Sequence, residues 1–324
     1  MGGDIGPCVT VPACVRALSL MPDVSFKVFG DETLIHQALG GSPLPSRFSI
    51  VPTTQVIGMD EKPSRSLRSQ RDSSLYKAIQ ALSELQVQAC VSAGNTGSML
   101  AIGCYLLRTF AGIDRPAICT SIPTREGRCF LLDVGANVDV HADNLRQFAV
   151  MGSVLVSMLL NKKNPSVALL NIGAEDIKGN EQVKMASTLL QSDTALNYIG
   201  FIEADQLFFD RVDVVVCDGF VGNIALKTGE GAAQLIAGQL HQVFCQNLFT
   251  RLAGLLMKKP LAELYDRINP ARYNGASFLG LQATLVKSHG SATVEGFVRA
   301  LEQARLEVVT GIPRLINERL EYSI

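Results

Sequence analysis

The sequence predicts an α/β fold: a mostly parallel sheet with helices on both faces. Apolar, β-branched runs repeatedly end in glycine with an asparagine or aspartate beside it. Ala89–Ser92 runs into Gly94-Asn95-Thr96-Gly97, and Phe130–Leu132 into Asp133-Val134-Gly135-Ala136-Asn137. Val167–Leu170 runs into Asn171-Ile172-Gly173, and Val212–Val216 into Cys217-Asp218-Gly219-Phe220-Val221-Gly222-Asn223. Continuous apolar runs are what strands covered on both faces look like. Helical patterns follow most of them, the rhythm of βαβ units. Hydrophobic content of 47% against 18% charge supports a large core and argues against disorder.

Taken in order, Val9–Leu20 reads as a helix and Ser25–Phe29 as a strand. Asp31–Leu39 is a helix with Asp31 as N-cap, because its carboxylate can accept a first-turn N–H. Phe48–Val51 is a strand, and the polar stretch Glu61–Ser74 leads into a helix ending near Leu85. Strand Ala89–Ser92, helix Gly97–Phe110, strands Ala117–Ser121 and Cys129–Leu132, and helix Ala142–Leu160 follow. Then come strand Val167–Leu170, helix Asn180–Gln191, strands Tyr198–Ile202 and Val212–Val216, and a long helix from about Asn223. The apolar stretch Leu281–Val286 precedes a last helix capped by Ser291. Residues 1–324 read as one catalytic unit of two lobes. The chain opens directly on the strand-exit loop Gly2-Gly3-Asp4, so the expectation is a sheet short of one central strand.

Composition also excludes classes. A net charge of −1 points away from nucleic acid and makes any anion site local. No signal peptide or membrane-length apolar run appears, and Gly6 breaks a myristoylation motif at Met1-Gly2. Cys8, Cys14, Cys90, Cys104, Cys119, Cys129, Cys217 and Cys245 form no C-x-x-C pair and mostly lie in apolar contexts, as reduced cysteines of a cytoplasmic protein do. There is no dinucleotide fingerprint, phosphate loop or zinc spacing, so no cofactor or metal is expected.

In a parallel sheet the ligand sits at the carboxyl ends of the strands. If every glycine loop faces that end, one anion-binding rim results. Its candidates are Gly3, Asp4, Gly94, Asn95, Thr96, Gly97, Asp133, Asn137, Asp218, Gly219, Gly222 and Asn223. Helix-opening amides at Gly94–Gly97 and Gly219–Asn223 are its natural cradle. His289, in Lys287-Ser288-His289-Gly290, sits on another such loop; His141 is a weaker candidate, and His36 and His241 read as solvated or packed. Arg65, Arg68 and Arg71 suit an acidic partner. Segment 244–275 breaks the pattern: Phe249, Leu252, Leu255, Leu256 and Met257 lie beside Arg251, Lys258 and Lys259, with closure at Pro260. It is either a helix packed on the core or a second subunit, or a projecting amphipathic hairpin that meets an anionic membrane surface.

With these residues in view, the chain closely resembles the bacterial phosphate acyltransferase (acyl-ACP:phosphate acyltransferase) family of phospholipid synthesis. The resemblance runs from Met1 to about Leu320 and rests on Met1-Gly2-Gly3-Asp4-x-Gly6-Pro7, Ser92–Gly97 and Leu132–Asn137. It continues through Leu170–Gly173 with Lys178-Gly179, Val216–Asn223, Tyr273-Asn274-Gly275-Ala276 and Lys287–Gly290. It implies an isocitrate-dehydrogenase-like fold shared with phosphotransacetylases, a homodimer, and a cytoplasmic, peripherally membrane-associated enzyme. Implied partners are acyl carrier protein, inorganic phosphate and a membrane acyl-phosphate glycerol-3-phosphate acyltransferase. Family members open with an apolar strand and an aspartate ahead of Met-Gly-Gly-Asp, absent here. Phosphate is already an anionic nucleophile, so the chemistry asks for positioning. Lys178 is the candidate cation, and either it or His289 can protonate the leaving thiol. Asp133 and Asp218 would repel phosphate, so orienting Asn137, Asn223 or Lys178 suits them better. Direct transfer without an acyl-enzyme is favoured, because no activated serine or cysteine appears and Cys217 lies inside a strand run. The alternatives are a short-chain phosphotransacetylase using acyl-CoA, and a non-catalytic scaffold that carries acyl carrier protein to the membrane.

Overall fold

The computed structural model describes residues 1–209, 211–268 and 270–321, with side chains over 265–271 left out of the description. Most expected elements form within a few residues of their expected ends. In chain order the first elements are α1 (Pro7–Leu20), β1 (Phe26–Gly30), α2 (Glu32–Ala38), β2 (Phe48–Pro52), α3 (Pro63–Ser69), α4 (Ser74–Ser83), β3 (Ala89–Ser92) and α5 (Thr96–Leu106). Asp31 caps α2 as expected, its Oδ1 accepting the Leu34 N–H at 3.1 Å. β4 (Ala117–Pro123), β5 (Arg128–Leu132), α6 (Ala142–Leu160), β6 (Ser166–Leu170), α7 (Glu181–Ser192), β7 (Asn197–Ile202) and β8 (Val214–Val216) follow. Then come α8 (Gly219–Cys245), α9 (Leu248–Leu256), α10 (Lys258–Ile268), β9 (Ala276–Leu279), β10 (Thr284–Lys287), α11 (Val294–Thr310) and α12 (Ile312–Glu321).

Eight strands form one sheet in the order β3-β10-β9-β4-β5-β8-β6-β7. Successive residues alternate between its faces, as the pleat requires. Leu131 and Val215 pack with α4 and α5 residues such as Ile79 and Ile102. Leu132, Val214 and Val216 pack with Phe148 and Met151 of α6 and Ile316 of α12.

Strand direction corrects the expectation of a single rim. β9, which sequence reading did not identify, runs antiparallel to both β10 and β4, and β4 runs antiparallel to β5. β5, β8, β6 and β7 are mutually parallel. They therefore point opposite to β3 and β10. The loops after β3 and β10 leave one end of the sheet, and those after β5, β8 and β6 leave the other. The glycine loops thus form two sets.

β1 and β2 make a separate parallel pair. Among the described residues β1 pairs only with β2, and β3 only with β10. The amino-terminal residues run between them: a Cβ on Gly30 would lie 2.5 Å from Met1 Cγ, and one on Gly2 would lie 2.6 Å from Gly94 Cα. α4 packs on both β1 and β3, tying the two sheets together.

Two helix starts differ from expectation. α8 begins at Gly219 rather than Asn223, because Asp218 caps it by accepting the Val221 N–H at 2.9 Å. Thr293 rather than Ser291 caps α11, taking the Gly296 N–H at 3.2 Å.

The segment expected at 244–275 is the far end of α8 followed by α9 and α10, and part of it lies outside the described side chains. Pro260 does not close it. It sits in the first turn of α10, where a missing N–H costs nothing. No residue of α9 is buried, so the reading of a helix packed on this chain's own core is corrected. Phe249 is 87% exposed and Leu256 79% exposed. Between α8, α9 and α10 lies a mostly apolar groove of about 770 Å³ edged by Arg251 and Lys258.

Candidate active site

At the end of the sheet shared by β3 and β10, three loops meet at van der Waals distance. Gly2 stacks on Gly94, and Gly3 at φ +93° leaves no room for a side chain between Ala93 and Gly290. The Asp4 N–H donates to the Gly290 carbonyl at 2.9 Å. Lys287, the last residue of β10, is buried here. Its Nζ donates to the Ala93 carbonyl at 3.1 Å and to the Ser288 carbonyl. Burial brings its pKa down to about 8, with Asp4 opposing the shift and Lys227 adding to it.

His289 follows two residues later. Its N–H donates to Asn274 Oδ1 at 2.8 Å, and Ser291 Oγ lies 2.9 Å from its Nδ1. The Ser291 N–H also reaches Nδ1, at 3.3 Å. Burial first, then the charge on Lys227, lowers the imidazole's pKa.

α8 supplies the opposing wall. Lys227 Nζ stands 3.4 Å from His289 Nε2 and is held by an ion pair to Glu230 at 2.7 Å. The ammonium and the edge of the imidazole thus meet beside the exits of β3 and β10, and an ammonium placed there suits an anion. Asn223 lies one turn earlier on the same face of α8. The helix therefore runs from the second set of loops toward the first.

That second set is largely a structural knot. Asp133 is fully buried, and its carboxylate accepts N–H groups of Ile118, Gly135, Ala136 and Asn137 and the Asn137 side chain. Burial raises its pKa, and these donors oppose the rise. Asn137 also donates to the Pro116 carbonyl and accepts the Gly219 N–H at 2.7 Å. A Cβ on Gly222 would lie 1.9 Å from the Asp133 carbonyl oxygen. The first-turn amides of Gly219 and Val221 are already taken, so the expected amide cradle at Gly219–Asn223 is corrected. Asp133 does orient Asn137, whereas Asp218 serves as the helix cap. Lys178 stands on the exposed loop after β6, paired with Glu175 at 2.9 Å, which raises its pKa.

The loop after β3 divides its duties. Asn95 donates to the carbonyls of Gly58, Met59 and Glu61 and caps α5 through the Ser98 N–H at 2.8 Å, so its side chain is consumed structurally. Thr96 and Gly97 open α5, where first-turn amides have no intrahelical partner. α3 lies over this turn through Pro63 against Gly97 and a 2.8 Å contact between Ser66 and Ser98 hydroxyls. It presents Arg65 and Arg68, with Arg71 just beyond, all exposed. Cys217 is buried, and its thiol is pushed well above its ordinary pKa, the wrong direction for a nucleophile. Among the described residues no group of three His, Cys, Asp or Glu could hold a metal, and no helix is long and apolar enough to cross a membrane.

Sequence reading missed Lys227 and Glu230, which carry no motif and meet His289 only through the fold. Lys287 and Asn274 stood inside quoted motifs, but nothing in one dimension assigned them a task.

A family model described as "Fatty acid synthesis protein" matches residues 1–314. A phosphate acyltransferase of Pseudomonas fluorescens is 51% identical over 323 residues, covering 99% of this chain and 96% of that protein. One from Alkalilimnicola ehrlichii is 50% identical, covering 99% and 94%. Among solved structures, a phosphotransacetylase from Streptococcus pyogenes is similar with TM-score 0.62 at 14% identity, over 94% of this chain and 93% of that one. A branched-chain phosphotransacylase from Enterococcus faecalis reaches 0.54 at 14% identity, over 95% and 97%. At such identities the likeness speaks for the fold alone, and it agrees with the phosphotransacetylase-like α/β architecture expected from the sequence. The relatives decide the rest: this chain belongs to the phosphate acyltransferase family.

Proposed function

We propose that this enzyme transfers a fatty acyl group from acyl carrier protein to inorganic phosphate, releasing acyl phosphate for glycerophospholipid synthesis. The observation that carries the reading is the convergence of the Lys227 ammonium and the His289 imidazole beside the glycine-packed exits of β3 and β10. Phosphate held there is already ionised, and holding it against the thioester carbonyl supplies much of the rate. The tetrahedral oxyanion forms among the same donors. The thiolate then leaves and takes a proton from Lys287, whose pKa of about 8 is close to the roughly 8.5 of a free thiol. Asn223, on the same face of α8, extends the substrate contact, and Lys178 is the proposed second cation from the loop after β6.

The exposed apolar face of α9, with Phe249, Leu255, Leu256 and Met257, supports a cytoplasmic homodimer lying against an anionic membrane surface. From there it would hand its product to a membrane acyl-phosphate glycerol-3-phosphate acyltransferase. Arg65, Arg68 and Arg71 support docking of acidic acyl carrier protein.

The test is incubation with palmitoyl-acyl carrier protein and labelled phosphate. Acyl phosphate is expected, and His289→Ala and Lys178→Ala should each lower its formation at least about tenfold, roughly 1.4 kcal/mol. Turnover with acyl-CoA alone, or binding of acyl carrier protein without turnover, would overturn the proposal.

A further inference from the structure

Asn274 occupies an unusual position. It is the second residue before β9, just after the helical excursion α8–α10 returns to the sheet. β9 and β10 pair antiparallel with Ala276 opposite Lys287 and Ser277 opposite Val286, so that register carried two places further sets Asn274 across from His289. The ladder's main-chain bonds stop before that point, and a side chain continues it. Asn274 Oδ1 accepts the His289 N–H at 2.8 Å, while Nδ2 donates to Ser288 Oγ at 2.7 Å and to the Gly296 carbonyl at 2.8 Å. One amide thus ties the β10 exit loop to the first turn of α11. Its neighbour Gly275 explains how Asn274 gets there. Gly275 adopts φ +121°, and a Cβ on it would come within 3.2 Å of Ala300 Cα and Gln303 Cβ of α11. Glycine lets the chain press against α11 at the point where Asn274 must reach both partners.

We propose that Asn274 is a positioning residue for the acyl transfer, fixing the backbone of His289 so that the imidazole faces Lys227. The inference rests on the function proposed above and adds a residue to it. Asn274 itself faces Ser288, the His289 backbone and α11, so it touches no reacting atom. Its effect passes through His289. The groups whose charge reaches that ring are Lys227 and Glu230 on α8, Lys287 on β10, and Asp4 on the amino-terminal loop. Loss of the amide frees the loop to swing, and a misplacement of about 1 Å can cost on the order of a hundredfold in rate.

Two variants of the full chain test this. Asn274→Ala removes all three bonds. Asn274→Asp keeps the shape and the acceptor for the His289 N–H but loses both donated bonds and adds a charge near the ring. Two readouts apply: kcat and KM with acyl carrier protein thioester and phosphate, and titration of His289 by NMR in the absence of substrate. The expected result for Asn274→Ala is a fall in kcat of at least about tenfold with KM for the acyl donor unchanged. In Asn274→Asp the His289 titration should move upward, with activity above that of Asn274→Ala. The NMR titration holds even if the wild type shows no acyl transfer, so failure of the proposed function and failure of this proposal are distinguishable. If Asn274→Ala does not fold, the isosteric Asp variant alone decides. A lowered melting temperature with wild-type kcat and an unmoved His289 titration in the folded variants would make Asn274 merely structural and overturn the proposal.

Discussion

Two buried ionisable residues make opposite demands of pH. Lys287 has its pKa lowered by burial from 10.5 to about 8, so between those values the unfolded chain holds a proton that the folded chain has lost. This site's contribution to stability therefore rises with pH across that window. Turnover that uses the ammonium as proton source should fall as pH rises through about 8. In Lys287→Met that limb of the kcat profile is expected to vanish, and a persisting limb would assign it to another group. Glu307 is the reverse case. Burial raises its pKa from 4.5 to about 7, although Ser277 Oγ and Gln303 Nε2 (2.8 Å) both donate to its Oε1. Stability from this site is full below pH 4.5 and is lost as pH rises through about 7. Glu307→Gln keeps an acceptor for both donors and should be more stable than wild type at pH 8, by about 3 kcal/mol at most. Urea midpoints at pH 5 and pH 8 check it, and an unchanged difference between the two would exclude ionisation of Glu307 as the cause.

Single elements carry the partner predictions. α3 stands over the opening of α5 with Arg65, Arg68 and Arg71 exposed, and among the described residues only Arg65 of the three pairs with a carboxylate, Glu61 at 3.4 Å. Reversing Arg65 and Arg68 to Glu should raise KM for the acyl carrier protein thioester severalfold and flatten its dependence on salt, because screening acts on the attraction removed. A KM unchanged across ionic strength would place docking elsewhere. On α9 and its end, Leu255→Glu with Met257→Glu should release the protein from anionic liposomes while leaving turnover in solution intact. Each aliphatic side chain removed costs about 1.5–3 kcal/mol of partitioning. Continued co-sedimentation would remove this face as the anchor, and loss of the dimer or aggregation would show it to be a packed interface instead.

At the scale of the whole molecule, β1 and β2 form a sheet apart from the other eight strands. The facing edges of β1 and β3 leave N–H and C=O groups outside any ladder among the described residues, a cost that pairing would relieve. A strand of about eight apolar residues ending in aspartate, fused ahead of Met1, should insert between β1 and β3. It is expected to raise melting temperature and turnover together, since Gly2 and Gly3 would then leave a strand beside Gly94. A fused strand that remains protease-sensitive, with no rise in melting temperature, would count against the slot.

Most strand and helix identities were determined by the sequence, because burial on both faces demands unbroken apolar runs and caps demand particular side chains. The motifs also sufficed to reveal the family. Strand direction was decided only in three dimensions. The short connection from Pro123 to Arg128 is too brief for a crossover and already implied a reversal at β4 and β5. β9, however, is a four-residue strand between a helical excursion and a turn, and local pattern does not distinguish it. The two reversals at β9 cancel, so the reversal between β4 and β5 separates Gly94 and His289 from Asp133 and Asp218, and turns one expected rim into an anion site and a structural knot. Lys227 and Asn274 became legible only then. Lys227 meets His289 across 62 residues and Asn274 across the β9–β10 pair, and such contacts are settled by packing and register rather than by the residues on either side.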